Sequence, residues 1–374
     1  MVENEKNDKG IESEKDAHSE KSARTPAFAN YLAEKRPLIE AFLAETTPHV
    51  AGSSPADTRG GGRLAQDLEA SLYGPLARFT ASGGKRTRPA LCLLGAEAVG
   101  GTAESALSVA AAVENFQSAA LIHDDIADEG ELRRGEPCLH VSEGTGVAIN
   151  IGDLALVTAT EVVLADDGLT GAAKLRILGE LTAMERRTLE GQALDLSWVR
   201  DGRWDIDVDD YLFMASHKTA YYSAAVPLVM GAICAGGSER QIEALRSFGM
   251  AAGLAFQLQD DLLNLVGDAA AQGKDFRSDV TEGKRTMAAV WAVRHLGDGE
   301  RDELVGILSS KTTDETALAR AVSLMEECGA IAHVQATARE LVGEAKAHLA
   351  SADFSADATQ TLSSMADFFI ERLG

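Results

Sequence analysis

Apolar residues recur along this chain at intervals of three and four, segment after segment. Phe28, Tyr31, Leu32, Leu38, Ile39, Phe42 and Leu43 do so between Pro26 and Glu45, and Leu64 to Phe79 repeats the pattern; both predict amphipathic helices. Similar patterns follow at about 88–99, 103–128, 147–166, 172–198, 208–217, 219–235, 239–266, 286–296, 314–327, 330–349 and 357–372. The stretch from Thr102 to Asp128 holds no Gly or Pro, and Thr102 is its predicted N-cap. Period-2 alternation is scarce, so no strand is expected. Ala- and Leu-rich helices joined by short Gly turns predict an all-α protein, one large helical bundle around a deep central cavity.

Two stretches fall outside this pattern. Residues 1–24 are polar and poor in large apolar side chains, which predicts a disordered tail. Residues 46–62 are rich in Gly, Pro and Ser and read as a flexible loop. No linker or internal repeat divides the remainder, so 25–374 is expected to form one domain.

Charge changes the picture. There are 58 acidic and 35 basic residues, a net charge of −23. A surface so acidic argues against a nucleic-acid partner, whose phosphates need a basic face. The cysteines, Cys92, Cys138, Cys234 and Cys328, form no CxxC pair and read as reduced thiols of a cytoplasmic protein. No signal peptide is expected at the polar N-terminus. The longest apolar run, Ala220 to Ala235, is short for a bilayer and carries Pro227, so it is read as a buried helix and no transmembrane segment is expected.

Against this background the stretch LIHDDIADEGELRRG, Leu121 to Gly135, stands out. On a helix Asp124 and Asp128 lie one turn apart on one face, with Gln117 on the same stripe. Two carboxylates so placed repel and favour a cation; hard oxygen ligands suit Mg²⁺ shared with phosphates. Arg133 and Arg134 beyond them carry planar forks that match phosphate oxygens. Alone, the same residues would also describe a solvated acidic helix end. Four other stretches bear on the choice. GGKRTRP, Gly83 to Pro89, sets Lys85, Arg86 and Arg88 at a loop-to-helix junction, where helix N–H groups favour anions. EGQALDLSW places Gln192 and Asp195 on one helix face, and HKTAYYS places Lys218 and Thr219 before an apolar helix. FQLQDDLLNLVGDAAAQGKDFRSDVTEGKRT repeats the acid-then-base order: Asp260, Asp261 and Asn264, then Lys274, Lys284 and Arg285. The pattern suits a diphosphate held through Mg²⁺ between two acidic helices, with a second anion site near Lys85 and Arg88.

These motifs, in this order and spacing from about Leu64 to Gly374, resemble those of the trans-isoprenyl diphosphate synthases, the polyprenyl synthetase family. The resemblance implies condensation of an allylic diphosphate with isopentenyl diphosphate by an all-α enzyme, a likeness that extends to its homodimeric assembly. It implies three Mg²⁺ per site, with Mn²⁺ an alternative. Asp124, Asp125 and Asp128, then Asp260 and Asp261, map onto its two metal motifs, with Asp195 supporting them. Arg133, Lys218, Thr219, Lys274 and Lys284 match the allylic diphosphate contacts. Lys85, Arg88, Gln117 and Arg134 match the isopentenyl site, and Gln257 lies near the reacting carbons.

The sequence departs from the family at Asn264, where the second motif has an amide in place of a third aspartate; geranylgeranyl synthases of the eukaryotic kind resemble it there. In the family, bulk just before the first motif limits product length. Ala119 and Ala120 are small, and Phe116 is a deeper candidate floor or a core residue. This favours a C20 geranylgeranyl product, with C25 or longer as the alternative. A class I terpene cyclase fits less well, because FQLQDDLLN lacks its second metal motif. A non-catalytic regulatory subunit of a heteromeric synthase would tend to lack the aspartates kept here.

Overall fold

The computed structural model describes residues 26–49, 61–267 and 276–371. The expected polar tail, most of the 46–62 loop and Lys274 lie outside them.

Helical periodicity becomes helix almost everywhere it was read. The first five are α1 (Ala27–Thr46), α2 (Gly61–Leu68), α3 (Gly74–Ala81), α4 (Thr87–Ala98) and α5 (Leu107–Ala127). A two-residue hairpin follows, β1 (Leu132–Arg133) with β2 (Glu136–Pro137), then α6 (Leu139–Ser142), α7 (Thr145–Ala165) and α8 (Gly171–Arg200). Next come α9 (Val208–Ala215), α10 (Val226–Cys234), α11 (Glu239–Val266) and α12 (Ser278–Glu282). The chain closes with α13 (Met287–His295), α14 (Asp298–Ser309), α15 (Glu315–Glu327), α16 (Ala330–Leu349) and α17 (Ala356–Glu371).

Three local differences from expectation have physical reasons. Thr102 makes no side-chain cap; it opens a tight turn, Ala103–Ala106, and α5 starts only at Leu107. The two helices expected at 208–217 and 219–235 are joined by a widened, π-helical stretch, Ser216–Ala225. Pro227 sits just inside α10, where its missing N–H is least costly. Helix α14 went unread because its buried stripe is only Leu304 and Leu308.

The core is a layered helix packing. α11 lies against α16 and the widened stretch, and α5 lies along α7. Leu341 and Ile370 bridge the two largest apolar clusters, and Leu156 bridges the first to a third. Several helices meet backbone to backbone. A Cβ on Gly231 of α10 would sit 1.8 Å from the Cys92 carbonyl oxygen of α4, and one on Gly191 of α8 would sit 2.2 Å from the Lys218 nitrogen.

Among the described residues one helix, α7, is long and apolar enough to cross a membrane, with mean hydropathy 1.7 over its most apolar window. Ala220–Ala235, the longest apolar run of the sequence, is a buried element here. α7 packs one face on α5 and leaves Ile149, Val157 and Leu164 exposed. On α8, Leu175, Leu189 and Leu196 are exposed at multiples of seven residues.

The close crossing at Gly231 gives a direct check. Gly231→Ala is expected to cost about 1–3 kcal/mol by overpacking and to lower the melting temperature. Gly146→Ala, whose Cβ meets nothing within 4 Å, is the control. Equal melting curves would contradict the crossing.

Candidate active site

The C-terminal turn of α5 carries the first acidic pair. Asp124 accepts a 2.8 Å hydrogen bond from the Gln192 amide of α8. Asp128 closes the helix, its backbone N–H bonded to the Asp124 carbonyl. Loss of surrounding water, and then the Asp124 charge, push the Asp128 carboxyl up to about 6. Asp125 is rotated about 100° from Asp124, as helix geometry requires, and points elsewhere. It is buried and accepts from the Arg133 guanidinium at 2.8 and 2.5 Å. Asp125, expected as a metal ligand, and Arg133, expected on the allylic diphosphate, are thus paired with each other, and both line a cavity.

The hairpin explains how adjacent arginines diverge. Arg134 and Gly135 form its two-residue turn, both with positive φ (55° and 85°), as a right-twisted hairpin demands. Arg133 stays in the ladder facing Asp125, whereas Arg134 projects from the turn towards Ser82 and the Phe79 ring.

The second acidic cluster repeats this division. Asp260 lines a cavity of about 460 Å³. Its neighbour Asp261 is buried and accepts from the Tyr211 hydroxyl at 2.6 Å and the Gln257 amide at 2.7 Å. Burial, and then the charge of Asp279, raise the Asp261 carboxyl to about 7. Asp261, expected as a metal ligand, lines the same cavity and also holds the Gln257 amide. The Gln257 carbonyl in turn accepts from the Thr219 hydroxyl at 2.6 Å. Asn264 is likewise turned to a loop: its amide donates to Ser278 Oγ, and its carbonyl oxygen accepts from the Asp279 N–H.

Cations stand between the two clusters. Lys218, in the π-helical stretch, reaches Asp195 at 2.5 Å. Desolvation works against its charge, but Asp195 first and then Asp124 outweigh that and raise its pKa. Lys284 lies 3.6 Å from Asp279 and 2.7 Å from Glu282. Desolvation opposes its charge too, and Asp279, Glu282 and Asp128 more than restore it. The widened helix suits this role, since π turns re-aim side chains at functional sites.

A second cavity, about 520 Å³, opens beside the first, and Lys85 lines both. Arg88, Gln117, Arg133 and Arg134 line its polar part, and Phe256, Phe368 and Phe369 its apolar part. Arg88 stacks on Tyr222 at 4.3 Å and donates to its hydroxyl and to Ser223. Arg86, read as part of the basic cluster, instead turns inward to the buried Glu114 and the Thr80 carbonyl. Its left-handed backbone (φ 51°) produces that turn.

Of the expected chain-length residues, Ala119 lies roughly 160° round the helix from Gln117. It is packed with Leu76, Phe79 and Ile151, which corrects its expected place in the cavity wall. Ala120 is half-buried near the Asp124 side of α5, and Phe116 edges Tyr222. Sequence reasoning missed Tyr211, which no motif flags, and Asp279, which stood unremarked inside the long second motif.

The donors fit a divalent cation of the Mg²⁺ kind. They are hard carboxylates that repel one another until a cation arrives. Among the described residues no three His, Cys, Asp or Glu side chains form a closed cage. Any ion held by these walls would need further oxygens from water and ligand phosphates.

Comparison with known proteins agrees with this geometry. The polyprenyl synthetase family profile matches residues 69–325. The short chain isoprenyl diphosphate synthase of Methanothermobacter thermautotrophicus is 40% identical over 293 residues, 78% of this chain and 87% of that one. The geranylfarnesyl diphosphate synthase of Aeropyrum pernix is 34% identical over 308 residues, 81% and 94% of the two chains. The crystal structure of geranylgeranyl pyrophosphate synthase from Corynebacterium glutamicum, complexed with isoprenyl diphosphate and magnesium, superposes with a TM-score of 0.79 at 30% identity. That match covers 92% of this chain and 99% of that one. The chain belongs to the polyprenyl synthetase family. Its activity is that of a trans-prenyl diphosphate synthase, a prenyltransferase.

The raised Asp128 carboxyl yields a stability test. Folded protein holds that proton more tightly than unfolded chain, so the associated stability is present at acid pH and lost as pH rises through about 6. In chelator, Asp128→Asn is therefore expected to melt above wild type at neutral pH and to converge with it below about pH 4. A variant less stable than wild type at pH 7.5 would refute the repulsion.

Proposed function

We propose that the enzyme makes a C20 geranylgeranyl diphosphate, by Mg²⁺-dependent condensation of isopentenyl diphosphate with an allylic diphosphate. One observation carries this reading: two adjoining cavities share Lys85, each has carboxylates in its wall, and the second also gathers Arg88, Arg133 and Arg134. A lone diphosphate substrate would not need the second.

Asp124, Asp128 and Asp260 would hold the cations, three per site as in the family resemblance. Bound Mg²⁺ would supply Lewis-acid neutralisation of the diphosphate leaving group. The chain's own residues do the rest. Lys218 and Lys284 bind and orient the allylic diphosphate, and Thr219 fixes Gln257 beside the reacting carbons. Lys85, Arg88, Gln117 and Arg134 hold isopentenyl diphosphate in line, and that alignment supplies roughly 7–11 kcal/mol of barrier reduction in favourable cases. The Phe256, Phe368 and Phe369 wall keeps water from the cationic carbon.

The small Ala120 side chain supports room for a growing chain, with Phe116 one turn deeper as its floor. The exposed apolar stripes on α7 and α8 support a homodimer, since a second copy would cover both; the mass in solution reads this directly.

The test is purified protein with Mg²⁺, labelled isopentenyl diphosphate and each allylic primer, with products separated by chain length. A C20 diphosphate is expected. Longer products would shift the assignment to C25 or beyond, and a cyclic hydrocarbon from the allylic substrate alone would overturn it. Asp124→Ala is expected to lower turnover by on the order of 10²- to 10³-fold with the fold intact, and Ala120→Phe to shorten the product. Normal turnover in the first, or an unchanged spectrum in the second, would remove those assignments.

A further inference from the structure

Helix α8 carries a carboxyl that the proposed chemistry does not use. Glu185 is half-buried and, among the described residues, has no hydrogen-bonding or ionic partner. Other acids of α8 are paired, Glu180 with Arg246 and Glu190 with Arg186. Loss of water alone pushes the Glu185 carboxyl up to about 7. Its place follows from three contacts. Gln192, seven residues on, donates to Asp124 of α5. Seven residues are about two turns, roughly 10 Å, and return to within about 20° of the same face. Glu185 thus lies beneath the first acidic motif, on the face that α8 turns to α5. Two adjacent tyrosines of the π-helical stretch fix its depth independently. Tyr221 lies under the Arg187 guanidinium at 4.3 Å, and Tyr222 edges Phe116 of α5 at 5.8 Å. Arg187 is two residues from Glu185, so Glu185 stands at the level of Phe116. The two side chains leave α8 about 200° apart, one towards Tyr221 and the other away from it. α7 packs on both α5 and α8 and closes the seam between them.

We propose that Glu185 is a specificity-determining residue, a polar stop in the path of the growing hydrocarbon at the level of Phe116. The inference rests on the reading of this protein as a C20 synthase. Phe116 limits the chain by bulk, whereas Glu185 limits it by hydration. A prenyl tail that advances past this level strips the remaining water from a carboxyl that has no partner to replace it, and that loss is unfavourable. The cost falls only on a tail long enough to reach two turns below Asp124. A short allylic primer escapes it.

The test measures, in one preparation of the full-length protein, kcat/KM for a C20 primer and for a C10 primer, each with isopentenyl diphosphate and Mg²⁺. The ratio of the two cancels any loss of folded enzyme. Glu185→Leu keeps nearly the bulk of the native side chain without its polarity. It is expected to raise the C20-to-C10 ratio on the order of tenfold or more and to carry product past C20. Glu185→Gln keeps both bulk and a polar end, and its ratio is expected to stay well below that of Glu185→Leu. An unchanged or lower ratio in Glu185→Leu would overturn the proposal. An equal rise in Glu185→Gln would overturn it too, since polarity would not be the cause. Wild type separates the two levels of inference. If it extends the C20 primer as readily as the C10 primer, the C20 reading itself fails. If wild type and Glu185→Leu both stop at C20, the failure is confined to Glu185.

Discussion

Repulsion among carboxylates gathered at one cavity is the constraint on which the rest of this structure depends. Asp195, Asp260, Asp261 and Asp279 line it from three elements, and Asp128, at the end of the first acidic helix, lines the adjoining cavity. Without cations such a gathering is unfavourable in a site partly stripped of water. The fold offsets part of it with Lys218 and Lys284, each held between acids from both sides. It rigidifies the backbone beneath by direct helix contact, as where Gly191 admits the Lys218 main chain. The remainder is left uncompensated, and in the function proposed above that residue of charge draws a metal-bound diphosphate.

Each acidic motif resolves the same problem by dividing its adjacent aspartates. Neighbours on a helix differ by about 100°, so the two side chains set out in different directions. Asp125 turns to Arg133, and Asp261 turns to Tyr211 and Gln257. The inward members convert charge into rigidity: one fixes the hairpin from which Arg134 projects, the other fixes the Gln257 amide.

Much of this was legible in the sequence because helix periodicity and motif spacing are local. Gln117, Asp124 and Asp128 fall on one stripe by arithmetic alone, and the all-α architecture follows from patterns that nowhere alternate. What escaped was set by tertiary partners. No local signal tells that Arg86 turns inward to Glu114, since a left-handed backbone at one residue decides it. Ala119 and Ala120 are chemically identical, and only the packing of α3 and α7 shows which one is sealed in the core. Asp279 was hidden because its place depends on a loop gripped by Asn264 across 15 positions of sequence. The widened helix at Ser216–Ala225 has no compositional mark, although it aims Lys218 and Thr219.

Lys85 stands in the wall of both cavities. In a condensation that repeats, the diphosphate that survives each round is the one carried in by the isopentenyl unit. In the function proposed above it changes places before the next round, from the cavity lined by Arg88 and Arg134 to the one lined by Asp260. A cation common to both walls means the migrating group never leaves one positive partner before meeting the next. Processivity is then a matter of a short sideways step inside the protein, with the lengthening hydrocarbon still enclosed, and the number of such steps is limited by room at the far end of the chain.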